Sequence, residues 1–197
     1  MLLVSSSRSG YHHGDLARAL EDAAMQLLAE KPAKEISLRE VARAANVSHN
    51  APYHHFADRN GLIKAIAERS MADLLALVRE AIAASPDPRA ALRNGGGAYI
   101  RFAVEHPNAF DAIYDPTVCV PGAPTETMAP LIDGLEEALG EAALAAGLDR
   151  VVDAVGFWGL VHGLGTLSAA GHFPIEVALA GYESAVDRML PTSASSP

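Results

Sequence analysis

The sequence predicts an all-α protein, with an N-terminal three-helix unit followed by a longer C-terminal helical region. Three observations carry that expectation. Apolar residues recur at three- and four-residue steps, as in Leu16, Leu20, Ala23 and Leu27, then Leu38, Val41, Ala42 and Ala45, then Leu62, Ile66, Leu74, Leu77 and Val78. No alternating β-branched runs are joined by an Asn-Gly hairpin turn, so strand signals are missing. The 38 alanines suit long packed helices, because alanine has the highest helix propensity.

Punctuation then sets the elements in order. Gly14-Asp15 opens a helix that ends before Lys31-Pro32. Ser37-Leu38-Arg39-Glu40 is a capping box, in which serine and glutamate satisfy each other's backbone donors. Asn46 suits a left-handed turn after Ala45, and Ser48 is placed to cap the segment that follows. Asp58 is expected to cap a long helix reaching about Ser85, and Asp87-Pro88 reads as N-cap plus first helical proline. His106-Pro107 ends that next helix. Residues 115–124 carry three prolines and a glycine and read as a loop. Helices over Thr125–Ala146 and Asp149–Ala170 follow, then a break at Gly171-His172-Phe173-Pro174 and a last helix ending near Leu190. Residues 1–10 and 191–197 are expected to be a disordered arm and tail.

Composition narrows the function classes. At 197 residues and 50% hydrophobic, the chain has material for a sizeable core in one domain or two small ones. One cysteine excludes an internal disulfide framework and a cysteine-rich zinc module. No run of about 18 apolar residues exists, and MLLVSSSRSG lacks a secretory pattern, so a cytoplasmic protein without a membrane partner is expected. The net charge of −9 is uneven. Residues 1–70 hold nine Lys/Arg against eight Asp/Glu, and residues 71–197 hold six against sixteen, a balance of +1 and −10. Five of the eight histidines (His12, His13, His49, His54 and His55) also lie in the first part, where a nearby anion favours their protonation. Only the N-terminal third is electrostatically suited to face a polyanion.

Ser37 to Phe56 is the informative stretch. A short amphipathic helix, a turn at Asn46-Val47-Ser48 and a second short helix make a helix-turn-helix. Leu38, Val41, Ala42 and Ala45 face inward, Val47 plugs the angle between the helices, and Phe56 returns to the core. The outward positions His49, Asn50, Tyr53 and His54 are polar or amphipathic, and the small Ala51 lets the backbone approach base edges. Pro52 is tolerated because it falls in a first helical turn. His55 is suited equally to packing or to a phosphate.

From about Tyr11 to Leu75 the chain resembles the DNA-binding domain of TetR/AcrR regulators. It shares the first helix (Leu16 to Leu28), the capped helix-turn-helix, the Tyr53-His54-His55-Phe56 end and a basic opening of the next helix at Arg59 with Lys64. Asn46 replaces the family's usual glycine and Arg59 its usual lysine. The resemblance implies that Ser37 and Ser48 present helix N-termini to phosphate. It also implies that Arg39, Tyr53, His54, Arg59 and Lys64 hold the DNA backbone. His49 and Asn50 are the candidates for base edges, with Arg8 on the arm as a minor-groove candidate.

Phe157-Trp158-Gly159-Leu160-Val161-His162-Gly163 and the segment Tyr99 to Phe110 resemble, more loosely, the WHG-type effector domain of the same family. By that resemblance Tyr99, Phe102, His106, Phe110, Tyr114, Trp158 and His162 line a small-molecule pocket, as aromatic rings with a few polar tips do between helices. Plain core packing is the alternative for the same residues. The resemblance also places the last two helices in a four-helix dimer interface, where Gly156, Gly159 and Gly163 permit close approach. The expected organisation is therefore an arm (1–10), a helix-turn-helix DNA-binding domain (11–60), a helical ligand-binding and dimerisation domain (61–190) and a tail (191–197).

The implied function is that of a homodimeric regulator, expected to be a repressor, which binds a palindromic operator and is released by a small-molecule effector. A metal at His12-His13 is not expected, since no cysteine or carboxylate cluster completes a site, and no cofactor is implied. One rival is a small helical enzyme using His106 or His162. Against it, no nucleophile elbow, phosphate loop or metal-spaced cluster is present, and Glu136-Glu137 are adjacent and point apart. The other rival is an architectural DNA binder without a ligand. Cys119, in the proline-rich loop, is expected to be inert.

Overall fold

The computed structural model describes residues 13–117, 119, 120, 122–148 and 152–190. The arm with Arg8, Tyr11, His12, Asp149 and the tail from 191 lie outside the described residues. Among those described, the regular elements are helical throughout. They are α1 (His13–Glu30), a 3₁₀ turn (Ala33–Glu35), α2 (Leu38–Ala44) and a 3₁₀ helix (Ala51–His54), then α3 (Arg59–Ala83), α4 (Pro88–Glu105), α5 (Pro107–Ile113), α6 (Ala129–Ala145), α7 (Val152–Ala169) and α8 (Ile175–Met189). None is long and apolar enough to cross a membrane, and no group of three metal-binding side chains comes together among the described residues.

Local chemistry places the ends. Ser37 and Glu40 form both bonds of the capping box, and the far carboxylate oxygen of Glu40 meets Lys31 Nζ at 2.6 Å. Asn46 sits at φ 53°. Its N–H reaches the Arg43 carbonyl and that of Val47 the Ala42 carbonyl, so α2 ends in a Schellman closure. Asp58 and Asp87 cap α3 and α4 through the backbone N–H groups of Gly61 and Ala90. Helix α6 starts four residues later than expected, because the Thr125 hydroxyl accepts from Met128 N–H and holds residues 125–128 in a turn.

The buried side chains form two clusters. One joins Leu20, Leu28, Ile36, Val41 and Phe56 to Leu62 and Ile66 of α3. The other joins Ile63, Ala67, Met71 and Leu74 of the same helix to α4, α6, α7 and α8. Helix α5 touches both: Phe110 and Ile113 lie in the second cluster, Ala112 in the first, and Asn108 donates to the Leu28 carbonyl at the end of α1.

Helix α4 carries Gly95, Gly96 and Gly97 in its middle. Tyr182 of α8, fully buried, crosses there and donates its hydroxyl to the Leu92 carbonyl at 2.7 Å. A Cβ on Gly96 would overlap the Tyr182 hydroxyl and ring edge.

Gly96→Ala should therefore destabilise the protein by about 1–3 kcal/mol in denaturant unfolding, despite alanine's better helix propensity. Gly61→Ala, whose Cβ meets only ordinary contacts, should be neutral or stabilising. Glu40 makes a second prediction. Its hydrogen bond from Lys31, then those from Ser37, hold its carboxyl at about 2 instead of the ordinary 4.5. A carboxyl lowered on folding contributes stability above 4.5 and loses it as the pH falls towards 2. Glu40→Gln should flatten the acid dependence of the melting temperature across that window.

Candidate nucleic-acid interface and effector-domain cluster

The helix-turn-helix exposes a continuous polar surface. Arg39, Arg43, Ser48, His49, Asn50, Tyr53 and His54 are all exposed, while Leu38, Val41, Ala51, Pro52 and Phe56 are buried beneath them. Tyr53 is 52% exposed, high for so large an aromatic side chain. Arg39 and Arg43 stand one turn apart on α2 and make no ion pair among the described residues. Arg43 was missed in the sequence, although its i+4 spacing from Arg39 puts both guanidinium groups on one helix face.

Several positions differ from expectation. The segment after the turn is a 3₁₀ helix of four residues, with Pro52 at its second position. Its cap is Asn50, without a side-chain bond, and Ser48 contributes its carbonyl to Ala51 N–H where a hydroxyl cap was expected. Ala51 is buried under the turn, so it does not present a small surface to bases. His55 packs edge-on against Phe56 and bonds Glu21 at 3.2 Å, which uses it between helices. Arg59 is exposed, but its guanidinium donates to the Lys34 carbonyl.

Lys64 is committed elsewhere. Its ammonium meets Glu68 at 3.0 Å and the Thr127 hydroxyl at 2.8 Å. Thr125 and Thr127 both donate to the same glutamate. Burial alone would raise the Glu68 carboxyl, but the bonds from Thr127, Lys64 and Thr125 hold it below its ordinary value. This network clips the turn before α6 to the N-terminal half of α3.

In the C-terminal region, five of the seven aromatic candidates meet. Tyr99, fully buried, bonds Tyr114 at 2.7 Å through their hydroxyls and His162 Nδ1 at 3.1 Å. Phe110 stacks at an angle on Tyr99, Tyr114 and His162, and Trp158 lies 5.7 Å from the His162 ring. Burial raises both tyrosine hydroxyls and lowers the imidazole, which favours the uncharged form of each. With Tyr114 donating to Tyr99 and Tyr99 donating to Nδ1, the neutral imidazole carries its proton on Nε2. Phe102 and His106 pair with each other instead, His106 being exposed at the α4–α5 junction. Trp158 is 47% exposed.

Gly156 and Gly159 lie on an exposed face of α7 and Gly163 beside them, and a Cβ on any of the three would meet nothing within 4 Å. Val155 and Leu167 are exposed on the same face. Cys119 is half-buried and free.

Comparison with known proteins agrees with this architecture. Residues 20–66 match the family profile described as bacterial regulatory proteins, tetR family. Residues 92–191 match the tetracyclin repressor-like C-terminal domain. A protein of unknown function from Rhodococcus sp. RHA1 is similar in structure at TM-score 0.79 and 28% identity, covering 94% of this chain and 100% of that one. The TetR family transcriptional regulator PfmR from Thermus thermophilus superposes at TM-score 0.65 with 24% identity, covering 89% and 100%. The TetR-like regulator LfrR from Mycobacterium smegmatis, solved in complex with proflavine, does so at 0.65 with 23% identity, covering 90% and 98%. With one profile spanning half of its length and the other spanning its helix-turn-helix, the chain belongs to the TetR family of DNA-binding transcriptional regulators.

Proposed function

We propose that the chain acts as a homodimeric repressor that binds a palindromic operator and leaves it when a small molecule occupies the C-terminal helical region. The observation that carries the DNA half is the exposed surface of Arg39, His49, Asn50 and Tyr53 on a buried apolar scaffold. A globular core has no use for these residues there, whereas a groove does. Arg39, Tyr53, His54, the start of α2 at Ser37 and the exposed Ser48 in the turn hold phosphates, with Arg59 and Lys64 joining only after leaving their present partners. His49 and Asn50 read bases. The division of labour falls near residue 60, at the start of α3, with 11–60 binding DNA and 61–190 binding ligand and partner.

Dimerisation rests on α7. Its outward face of Val155, Gly156, Gly159 and Leu167 is apolar, and the glycines leave room for another backbone. Two copies joined there can present two reading helices about 34–36 Å apart, one turn of DNA. The LfrR–proflavine complex supports a ligand-responsive reading. Turnover is not expected: His106 faces solvent and His162 is bonded to Tyr99.

A footprint on the DNA flanking the protein's own gene tests the reading directly, and a protected palindrome is the expected result. Arg39→Ala should weaken all sequences alike and lower the slope of log K against log salt by about 1. Asn50→Ala should relax sequence discrimination by about 1–3 kcal/mol for the base pair read. Gly159→Leu should give a monomer in sedimentation and cost at least about tenfold in operator affinity, as half-sites lose their linkage.

A further inference from the structure

Between the C-terminal half of α3, the start of α4 and α6 lies an open cleft of about 510 Å³. Small-molecule sites fall in the range of about 300–1,000 Å³. Ile82, Ala91 and Ala142 give it apolar walls, and it is open because α6 lines it largely with alanine. Glu137 and Glu141 also line it, one turn apart on α6. Both are exposed, and neither has a cation within ion-pair distance among the described residues. Like charges at this spacing repel each other along the helix. The one guanidinium in the cleft, that of Arg79, lies across Gly134, where a Cβ would meet it at 2.9 Å, and pairs with neither glutamate. Asp87 adds a third carboxylate at the mouth, one oxygen of which already caps α4.

We propose that this cleft is the effector site, and that its ligand is an organic cation with a bulky apolar body, its charge held by Glu137 and Glu141. The inference rests on the ligand-responsive reading above and gives that ligand a place and a chemical class. Three carboxylates against one guanidinium disfavour an anion. The site is also connected to the DNA-binding unit: Arg79 and Ile82 belong to α3, whose other end places Leu62 and Ile66 in the N-terminal core. A cation drawing α6 and α3 together acts on that end if it binds the two dimer geometries unequally.

Tetraphenylphosphonium and tetraphenylborate, nearly identical in shape and opposite in charge, make the test. Calorimetric titration of the full-length dimer without DNA should show one phosphonium per chain and weaker or no borate binding. E137Q/E141Q should raise the phosphonium Kd by about two- to thirtyfold, the combined effect of two partly exposed ion pairs. Ala138→Phe, at a half-buried position on the cleft wall, should abolish binding. Borate binding as tightly as phosphonium overturns the proposal, as does phosphonium binding that survives both variants but is lost in Trp158→Ala. Phosphonium bound in the cleft with no change in operator affinity overturns the effector role alone. The DNA-binding reading has its own test in the footprint.

Discussion

The structure depends on α3 being one rigid helix shared by two cores. Leu62 and Ile66 face the helix-turn-helix, while Ile63, Ala67, Met71 and Leu74 face the remaining helices. Different faces of a single 25-residue helix thus serve separate apolar clusters, and neither can shift independently of it. Helix α5 reinforces the coupling with opposite sides of one short helix, its Asn108 bonded to the last turn of α1. The Lys64–Glu68–Thr125–Thr127 network is a third tie along the same helix. A regulator needs such shared elements, because a packed two-state interface passes on a displacement that a flexible linker would absorb.

Charge is distributed to match. The exposed side of α2 is basic and unpaired among the described residues, whereas carboxylates outnumber basic groups more than two to one in residues 71–197. Repulsion from DNA therefore falls on the part of the molecule that lies away from it, and the local balance at the helix-turn-helix decides binding despite a net charge of −9. The same acidic excess is what gives the cleft on α6 its sign.

Features decided within a few residues were legible in the sequence. The Ser37–Glu40 box, the Asn46 turn and the caps at Asp58 and Asp87 are short-range interactions between a side chain and nearby backbone, and each is where its spacing puts it. The helix-turn-helix and its exposed face followed from them. What was not legible depends on distant partners. Nothing near Lys64 announces that Thr127 will take its ammonium, and nothing near Tyr99 names His162 as its acceptor. The 3₁₀ form of Ala51–His54 has no local signature, because it arises from Pro52 and the missing Ser48 cap acting together. The cleft was hidden for another reason: it is made by what small residues leave unfilled, and the pattern Glu137, Glu141 with Ala138, Ala142 and Ala145 reads as an ordinary surface helix.

The three glycines of α4 carry a consequence for how the chain acquires its shape. Glycine costs roughly 1 kcal/mol relative to alanine at each interior position, so α4 is intrinsically weak at its centre. Tyr182 anchors that centre, and it lies 90 residues beyond the Leu92 carbonyl it bonds. During synthesis α4 emerges well before its clamp, and the aromatic cluster built on Tyr99 waits with it. The helix-turn-helix has no such dependence, its local contacts being complete early. A ribosome-bound chain can thus present a finished helix-turn-helix while the helices that follow it are still soft.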